Sequence, residues 1–197
     1  MSKVLRLHKD FYLAHPDPSL QTPKFCYGNL QEAHPRLRER TEEEAVEWRT
    51  EVGITAEVVW GRPLPKPITL FVETSFPEFV EHAMFELFAD QAGTPSPLQA
   101  QAWPCVLSGM DVVAMAPKAS GKTLVYLLPS MVHVIAQRRL QPGAGPIALV
   151  LVPTIEVAEQ VYGVANKYYN GMTDVKNSVT IYTAIDLSSS LGQTCTF

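Results

Sequence analysis

Residues 116–123 decide the fold, and they read Ala116-Pro117-Lys118-Ala119-Ser120-Gly121-Lys122-Thr123. This stretch follows a short apolar run at residues 112–116, which predicts a strand, and it opens a predicted helix over 122–137. A strand, a tight turn and a helix start form the context of a phosphate-binding loop, in which backbone amides and the helix dipole hold phosphates. In such a loop Lys122 reaches the β and γ phosphates, and the hydroxyl of Thr123 binds Mg²⁺.

Two residues of this loop depart from the usual chemistry of a phosphate-binding loop. Pro117 has no backbone amide, which removes one donor. Ala119 stands where glycine is usual, and if that position requires a positive φ, alanine costs about 1 kcal/mol or more. The pattern indicates a phosphate-binding loop by descent and leaves open whether a nucleotide still binds.

The same alternation of strand and helix continues downstream of the loop. Residues 147–152 are six apolar positions between two prolines, which is typical of a strand buried on both faces. Thr154 is the predicted N-cap of a helix that runs to about Tyr169, and residues 179–182 predict a third strand. Because such crossovers are right-handed, this order predicts an α/β fold, a parallel sheet with helices on both faces.

Upstream of the loop the apolar spacing predicts two more helices. One covers residues 76–90, and the other covers residues 98–107 with a kink at Pro104. Further upstream, the capping-box pair Thr41 and Glu44 predicts the start of a short helix that Gly53 ends.

The remaining N-terminal part predicts an irregular leader. Residues 1–40 show no clear apolar period, and residues 54–60 alternate as a strand does. Three prolines between positions 63 and 67 then form a stiff connector. We therefore predict a partly disordered leader over 1–62, a main domain over 63–186 and a polar tail over 187–197.

Composition narrows the classes of protein. With 46% hydrophobic and 18% charged residues, the chain is typical of a soluble globular domain and has no apolar run long enough for a membrane span. A net charge of −4 gives no overall basic field, so any nucleic-acid contact must be local. Cys26, Cys105 and Cys195 are far apart, which predicts no disulfide and a reducing compartment.

Over residues 25–183 the sequence resembles the DEAD-box RNA helicase family, because several motifs occur in that family's order. Residues 93–99 are similar to the Q motif, residues 116–123 to motif I and residues 153–160 to motif Ia. The stretch 101–109 is similar to a subgroup that acts in transcription and RNA processing. The resemblance implies an incomplete RecA-like sheet of the P-loop NTPase type and, by analogy, a nuclear protein, with the cytoplasm as the alternative.

The resemblance also implies ATP with Mg²⁺ as the ligand. Gln99 would recognise adenine, since one carboxamide can pair with both N6 and N7 of that base. Phe71 would stack on the base, although it lies about three residues further from the Q motif than in the subgroup. The phosphates would be held by the loop residues Ala119, Ser120, Gly121, Lys122 and Thr123, with Thr123 also holding the metal. From the residues alone, Gln99 is a polar helix start and Phe71 a core contact.

Motif Ia implies weak, sequence-independent RNA contact at Pro153 and Thr154. Ile155 stands where the family has arginine, and Thr183-Ala184 stands where it has a glycine pair, so both changes weaken that interpretation. The alternative is that Thr154 only caps its helix.

After Asp186 the sequence contains neither a DEAD nor an SAT segment. The family's Mg²⁺-ordering aspartate, water-activating glutamate and arginine finger are therefore missing, and we expect no ATP hydrolysis or unwinding by this chain alone. One alternative is a non-enzymatic module that competes for RNA or for the protein partners of helicase complexes, and another is a small P-loop kinase.

Overall fold

The computed structural model describes residues 34–59, 63–74, 76, 80–81, 84, 94–136 and 146–171. Its helices, in chain order, are α1 (Pro35–Glu39), α2 (Glu42–Glu51), α3 (Pro97–Leu107), α4 (Lys122–Ala136) and α5 (Ile155–Gly171), with a 3-10 turn at Phe71–Glu73. The predicted third strand at 179–182, the tail and the leader before residue 34 lie outside the described residues. The predicted helix over 76–90 is described at only a few positions, and residues 80, 81 and 84 are helical.

Helix α2 begins with the capping box that the sequence predicts. The Thr41 hydroxyl accepts a hydrogen bond from the Glu44 amide at 3.1 Å, and the Glu44 carboxylate accepts one from the Thr41 amide at 2.7 Å. The chain leaves the helix at Gly53, whose φ of +72° suits glycine. The predicted start and end of this helix are both confirmed.

Helix α3 is the buried element around which the fold is organised. Trp103 is fully buried, and its indole N–H donates to the Leu124 carbonyl at 3.0 Å, which joins α3 to the first turn of α4. Ile68 and Leu128 are also fully buried in the same apolar cluster. Pro104 lies inside α3, so the helix predicted over 98–107 is confirmed with the proline accommodated.

The residues just before Thr41 are better ordered than a leader without apolar periodicity implies. Residues 35–39 form α1, and Leu37 joins the main apolar cluster. Arg40 donates to the Thr69 hydroxyl at 2.8 Å and to the Glu73 carboxylate at 3.0 and 3.2 Å. The prediction of a poorly packed leader is therefore wrong for residues 35–40, because apolar packing and long-range hydrogen bonds hold them in place.

The segments predicted as buried strands are extended but exposed. Val113 is 95% exposed, and Leu151 is 81% exposed. No strand is assigned at 54–59, 112–116 or 147–152, or elsewhere in the described ranges. The prediction of a sheet covered on both faces is wrong for these segments, since an extended segment becomes a strand only through a hydrogen-bonded neighbour. None of the described helices is both long and apolar enough to cross a membrane.

Candidate nucleotide site

The loop between the extended segment 112–116 and α4 has a positive φ at the position where glycine is usual in phosphate-binding loops. Ala119 has φ +63°, and it is the only non-glycine residue with positive φ among those the structure describes. Gly121 follows with φ +83°. The condition for strain at Ala119 is therefore met, because its Cβ is carried in a conformation that suits glycine.

Lys122 folds back over this loop. Its ammonium donates to the Ala116 carbonyl at 2.8 Å and also to the Pro117 carbonyl. The Ser120 hydroxyl donates to the same Pro117 carbonyl at 2.9 Å. Because an ammonium has three N–H donors and this side chain is exposed, the lysine closes the loop and keeps a donor for another acceptor.

Thr123 lies beside Lys122 in the first turn of α4 and is half-buried. Its hydroxyl has no hydrogen-bond partner within the described part of the chain. The first amides of a helix also lack intrahelical partners, so this helix start presents N–H groups, a hydroxyl and a cation together. That set of donors fits the phosphate groups of a nucleotide, and the hydroxyl fits a Mg²⁺ ligand.

Gln99 connects the start of α3 to the loop. Its Oε1 accepts from the Ser96 amide at 3.1 Å, and its Nε2 donates to the Gly121 carbonyl at 3.3 Å. The Ser96 hydroxyl adds a second bridge at 3.0 Å to the Ser120 carbonyl. A Cβ on Gly121 would lie 2.4 Å from Gln99 Nε2, so a larger residue would displace this carboxamide, and the φ of +83° also favours glycine. The structure thus brings Gln99 and the loop together, although it uses the carboxamide as a helix cap and a tether.

Phe71 is half-buried at the start of the 3-10 turn. Its ring centroid lies 6.2 Å from that of Trp103, with an angle of 41° between the rings. Trp103 and Gln99 are four residues apart on α3 and therefore share one face of that helix. Phe71 makes the core contact that the residues alone suggest, and it lies against the helix face that carries Gln99.

Pro153 and Thr154 are exposed at the start of α5. The Thr154 hydroxyl accepts from the Val157 amide at 3.4 Å, which confirms its predicted role as a helix cap. A hydrogen bond with Thr154, and then one with its own backbone, lowers the pKa of the Glu156 carboxyl. An anionic side chain in this first turn is unfavourable for a phosphate of RNA placed at Pro153 and Thr154.

Sequence reasoning missed Ser96 and Trp103 as parts of this site. A local signal for Ser96 was available, since Ser96-Pro97-Leu98-Gln99 has the spacing of a capping box. Trp103 gave no local signal, because its hydrogen-bond acceptor lies 21 residues away. Among the described residues, no group of three or more His, Cys, Asp or Glu side chains could hold a metal ion.

Comparison with known proteins places this geometry in a family. Residues 96–193 match the model described as DEAD/DEAH box helicase. The chain belongs to the DEAD/DEAH box helicase family. This confirms the resemblance that the three motifs carried, and the family's nucleotide is ATP with Mg²⁺.

Several helicases of this family are similar to the chain. The ATP-dependent RNA helicase DBP2 of Chaetomium thermophilum is 45% identical over 157 residues, which is 79% of this chain and 27% of that relative. The probable ATP-dependent RNA helicase ddx17 of Dictyostelium discoideum is 38% identical over 178 residues, 90% of this chain and 19% of the relative. The chain thus spans a minor part of the curated helicases that it matches.

A solved helicase shares the fold. The crystal structure of the RNA-helicase Prp28 from Chaetomium thermophilum bound to ADP matches with a TM-score of 0.59 and 27% identity. The match covers 70% of this chain and 32% of that one. The match therefore relates part of this helicase-family chain to part of a larger fold.

Proposed function

We propose that this chain binds an adenine nucleotide, ATP or ADP with Mg²⁺, at the loop 116–123 and the start of α3. The observation that carries the proposal is the direct hydrogen bond between Gln99 and the Gly121 carbonyl, one residue before Lys122. A group suited to a purine and a group suited to phosphates are thereby held side by side.

Each residue has a defined task in this proposal. Lys122 exchanges the carbonyls of Ala116 and Pro117 for phosphate oxygens, and the first amides of α4 add donors to the same oxygens. Thr123 supplies its hydroxyl to Mg²⁺, and the bound Mg²⁺ neutralises phosphate charge. Gln99 faces the purine, and Phe71 stacks on it.

The same geometry implies weak binding. Pro117 offers no amide, and the loop carries the strain of Ala119. Gln99 is only 4% exposed and already uses both ends of its carboxamide, so it must give up hydrogen bonds or move before it can read a base. We expect the affinity for ATP to be well below that of a loop without these features.

For RNA, we propose a sequence-independent contact at Pro153 and Thr154, at the exposed start of α5. The relatives are named RNA helicases, and action on RNA is proposed for this chain by that analogy. Nuclear location is proposed from the family resemblance of the motifs. Binding of a single-stranded oligonucleotide should then be independent of base sequence, because the contact is made to the phosphate backbone. The substitution Thr154→Val tests the contact, with Thr50→Val on α2 as the control for the loss of a hydroxyl.

Nucleotide binding is tested by titrating the chain with a fluorescent ATP analogue and Mg²⁺. Lys122→Ala should reduce the affinity by at least about tenfold, because it removes a charge-assisted bond to phosphate. Lys118→Ala is the matched control, since Lys118 is exposed on the same loop and is not assigned a phosphate contact. Absence of binding at millimolar nucleotide by the folded, unaltered chain would refute the proposal.

A second candidate is a non-enzymatic interaction module. The exposed apolar side chains on the two extended segments favour it, among them Val113, Met115, Leu149 and Leu151. Co-purification with an intact helicase that is unchanged by ATP would support this role. Dependence of the same complex on ATP would favour the nucleotide-binding function instead.

A further inference from the structure

Arg40 fixes the turn that carries Phe71. One guanidinium nitrogen donates to the Glu73 carboxylate at 3.0 and 3.2 Å and to the Thr69 hydroxyl at 2.8 Å. The other donates to the Pro67 carbonyl. A single side chain from the segment between α1 and α2 therefore holds two residues of the approach to the turn and the last residue of the turn.

Glu73 adds hydrogen bonds from within the turn, and we call the contacts made by Arg40 and Glu73 the clamp. Its side chain is 1% exposed and also accepts hydrogen bonds from the backbone amides of Thr69 at 2.8 Å and Leu70 at 3.3 Å. The ion pair with Arg40 and these hydrogen bonds give the buried carboxylate polar partners. The 3-10 turn is thus closed on itself by Glu73, and Glu73 is held in turn by Arg40.

This turn determines where the Phe71 ring lies relative to the nucleotide site. The ring packs on Trp103, one helical turn after Gln99 on α3, and the Trp103 indole is bonded to the first turn of α4. A short series of contacts therefore joins Arg40, Glu73, Phe71 and Trp103 to the helix that follows the phosphate loop.

We propose that Arg40 is a positioning residue for the base end of the nucleotide site, acting through Glu73 on Phe71. The inference rests on the proposed nucleotide binding and adds the segment between α1 and α2 to that site. The Glu73 carboxylate is occupied by three residues of the chain, since it accepts from Arg40, from the amide and hydroxyl of Thr69, and from the Leu70 amide. Arg40 therefore acts by placing an aromatic ring and not by contacting the nucleotide.

Two ligands distinguish an effect of Arg40 on base binding from a general disturbance of the nucleotide site. ADP carries a base, whereas inorganic tripolyphosphate has phosphates alone, and both are titrated calorimetrically with Mg²⁺ into the full chain. Arg40→Gln should weaken ADP binding about tenfold, which is within the range for loss of one base-aromatic stack, and leave tripolyphosphate binding unchanged. Phe71→Leu should give the same selective loss, and the double variant should lose no more than either single variant.

The matched control is Arg49→Gln. Arg49 is a similarly buried arginine that also ties α2 to the connector, but its partners are Gln101 and Pro65. This control should leave the ratio of the two affinities unchanged. If Arg40→Gln does not fold, Arg40→Lys keeps the charge beside Glu73, loses the forked hydrogen bonds, and should show the same selective loss to a smaller extent.

Three results are distinguishable. A selective loss of ADP binding in the Arg40 variant, absent from the Arg49 variant, supports the inference. Equal weakening of both probes, or no change in either, overturns it and leaves the nucleotide site standing. Failure of the unaltered chain to bind either probe overturns the proposed function, and the inference with it.

Discussion

Replacing Ala119 by glycine should stabilise the chain, although glycine usually destabilises a folded protein. An L-residue in the left-handed region costs about 1–2 kcal/mol, and Ala119 lies there with φ +63°. Glycine removes this strain, but it also gives the unfolded chain more conformational entropy, which lowers the stabilisation by about 0.5–1 kcal/mol. The Ala119 side chain is exposed, so little packing is lost. The expected net effect on the free energy of unfolding is a gain of about 0.5–1 kcal/mol.

Urea unfolding followed by far-ultraviolet circular dichroism measures this difference. Ala114→Gly is the control, because Ala114 is also exposed but does not have a positive φ. The control should shift the unfolding midpoint to lower urea, while Ala119→Gly shifts it to higher urea. Shifts of the same sign and size in both variants would refute the assignment of strain to Ala119.

Three further outcomes follow from the described contacts. Gly121→Ala should lower the free energy of unfolding by about 2 kcal/mol or more in urea, because the new alanine has a positive φ and its Cβ lies 2.4 Å from Gln99. Adding Gln99→Ala should remove the steric part of that loss. Glu73→Gln should cost about 3 kcal/mol, because Arg40 would remain partly buried beside a neutral amide, and a loss below the scatter of the unfolding curves would contradict this. Burial raises the pKa of the Cys105 thiol. In a variant with Cys105 as its sole cysteine, thiol labelling should therefore begin at higher pH in the folded chain than in urea. Equal pH profiles in the two states would exclude burial as the cause.

Local chemistry made several helices predictable from the sequence. Thr41 and Glu44 form the capping box that their spacing suggests, and Thr154 caps α5 as expected. Each of these contacts joins residues three positions apart, so the pattern itself contains the geometry. The loop before α4 was predictable for the same reason, and so was the strain at Ala119.

The contacts that sequence reasoning missed join distant parts of the chain. Arg40 is 33 residues from Glu73, and Arg49 is 52 residues from Gln101, so each arginine looks like a surface charge until its acceptor is known. The predicted strands failed for a related reason. The apolar runs at 112–116 and 147–152 indicate only that these segments suit a buried sheet. The neighbours that would form hydrogen bonds with them and make them strands lie elsewhere in the chain.

The two ends of the nucleotide site should differ in what binding requires of them. Lys122 is exposed, so water can satisfy the loop carbonyls when the ammonium turns to phosphate. Gln99 is 4% exposed, and each hydrogen bond that it gives up costs roughly 0.5–1.5 kcal/mol. A bidentate amide contact with adenine is worth about 1–3 kcal/mol of discrimination, so the two lost bonds offset most of it. We therefore expect ATP to be preferred over GTP by less than about tenfold in competition titrations, and Gln99→Ala to reduce that preference further. A preference of about a hundredfold or more would show that Gln99 reads the base without giving up its present partners.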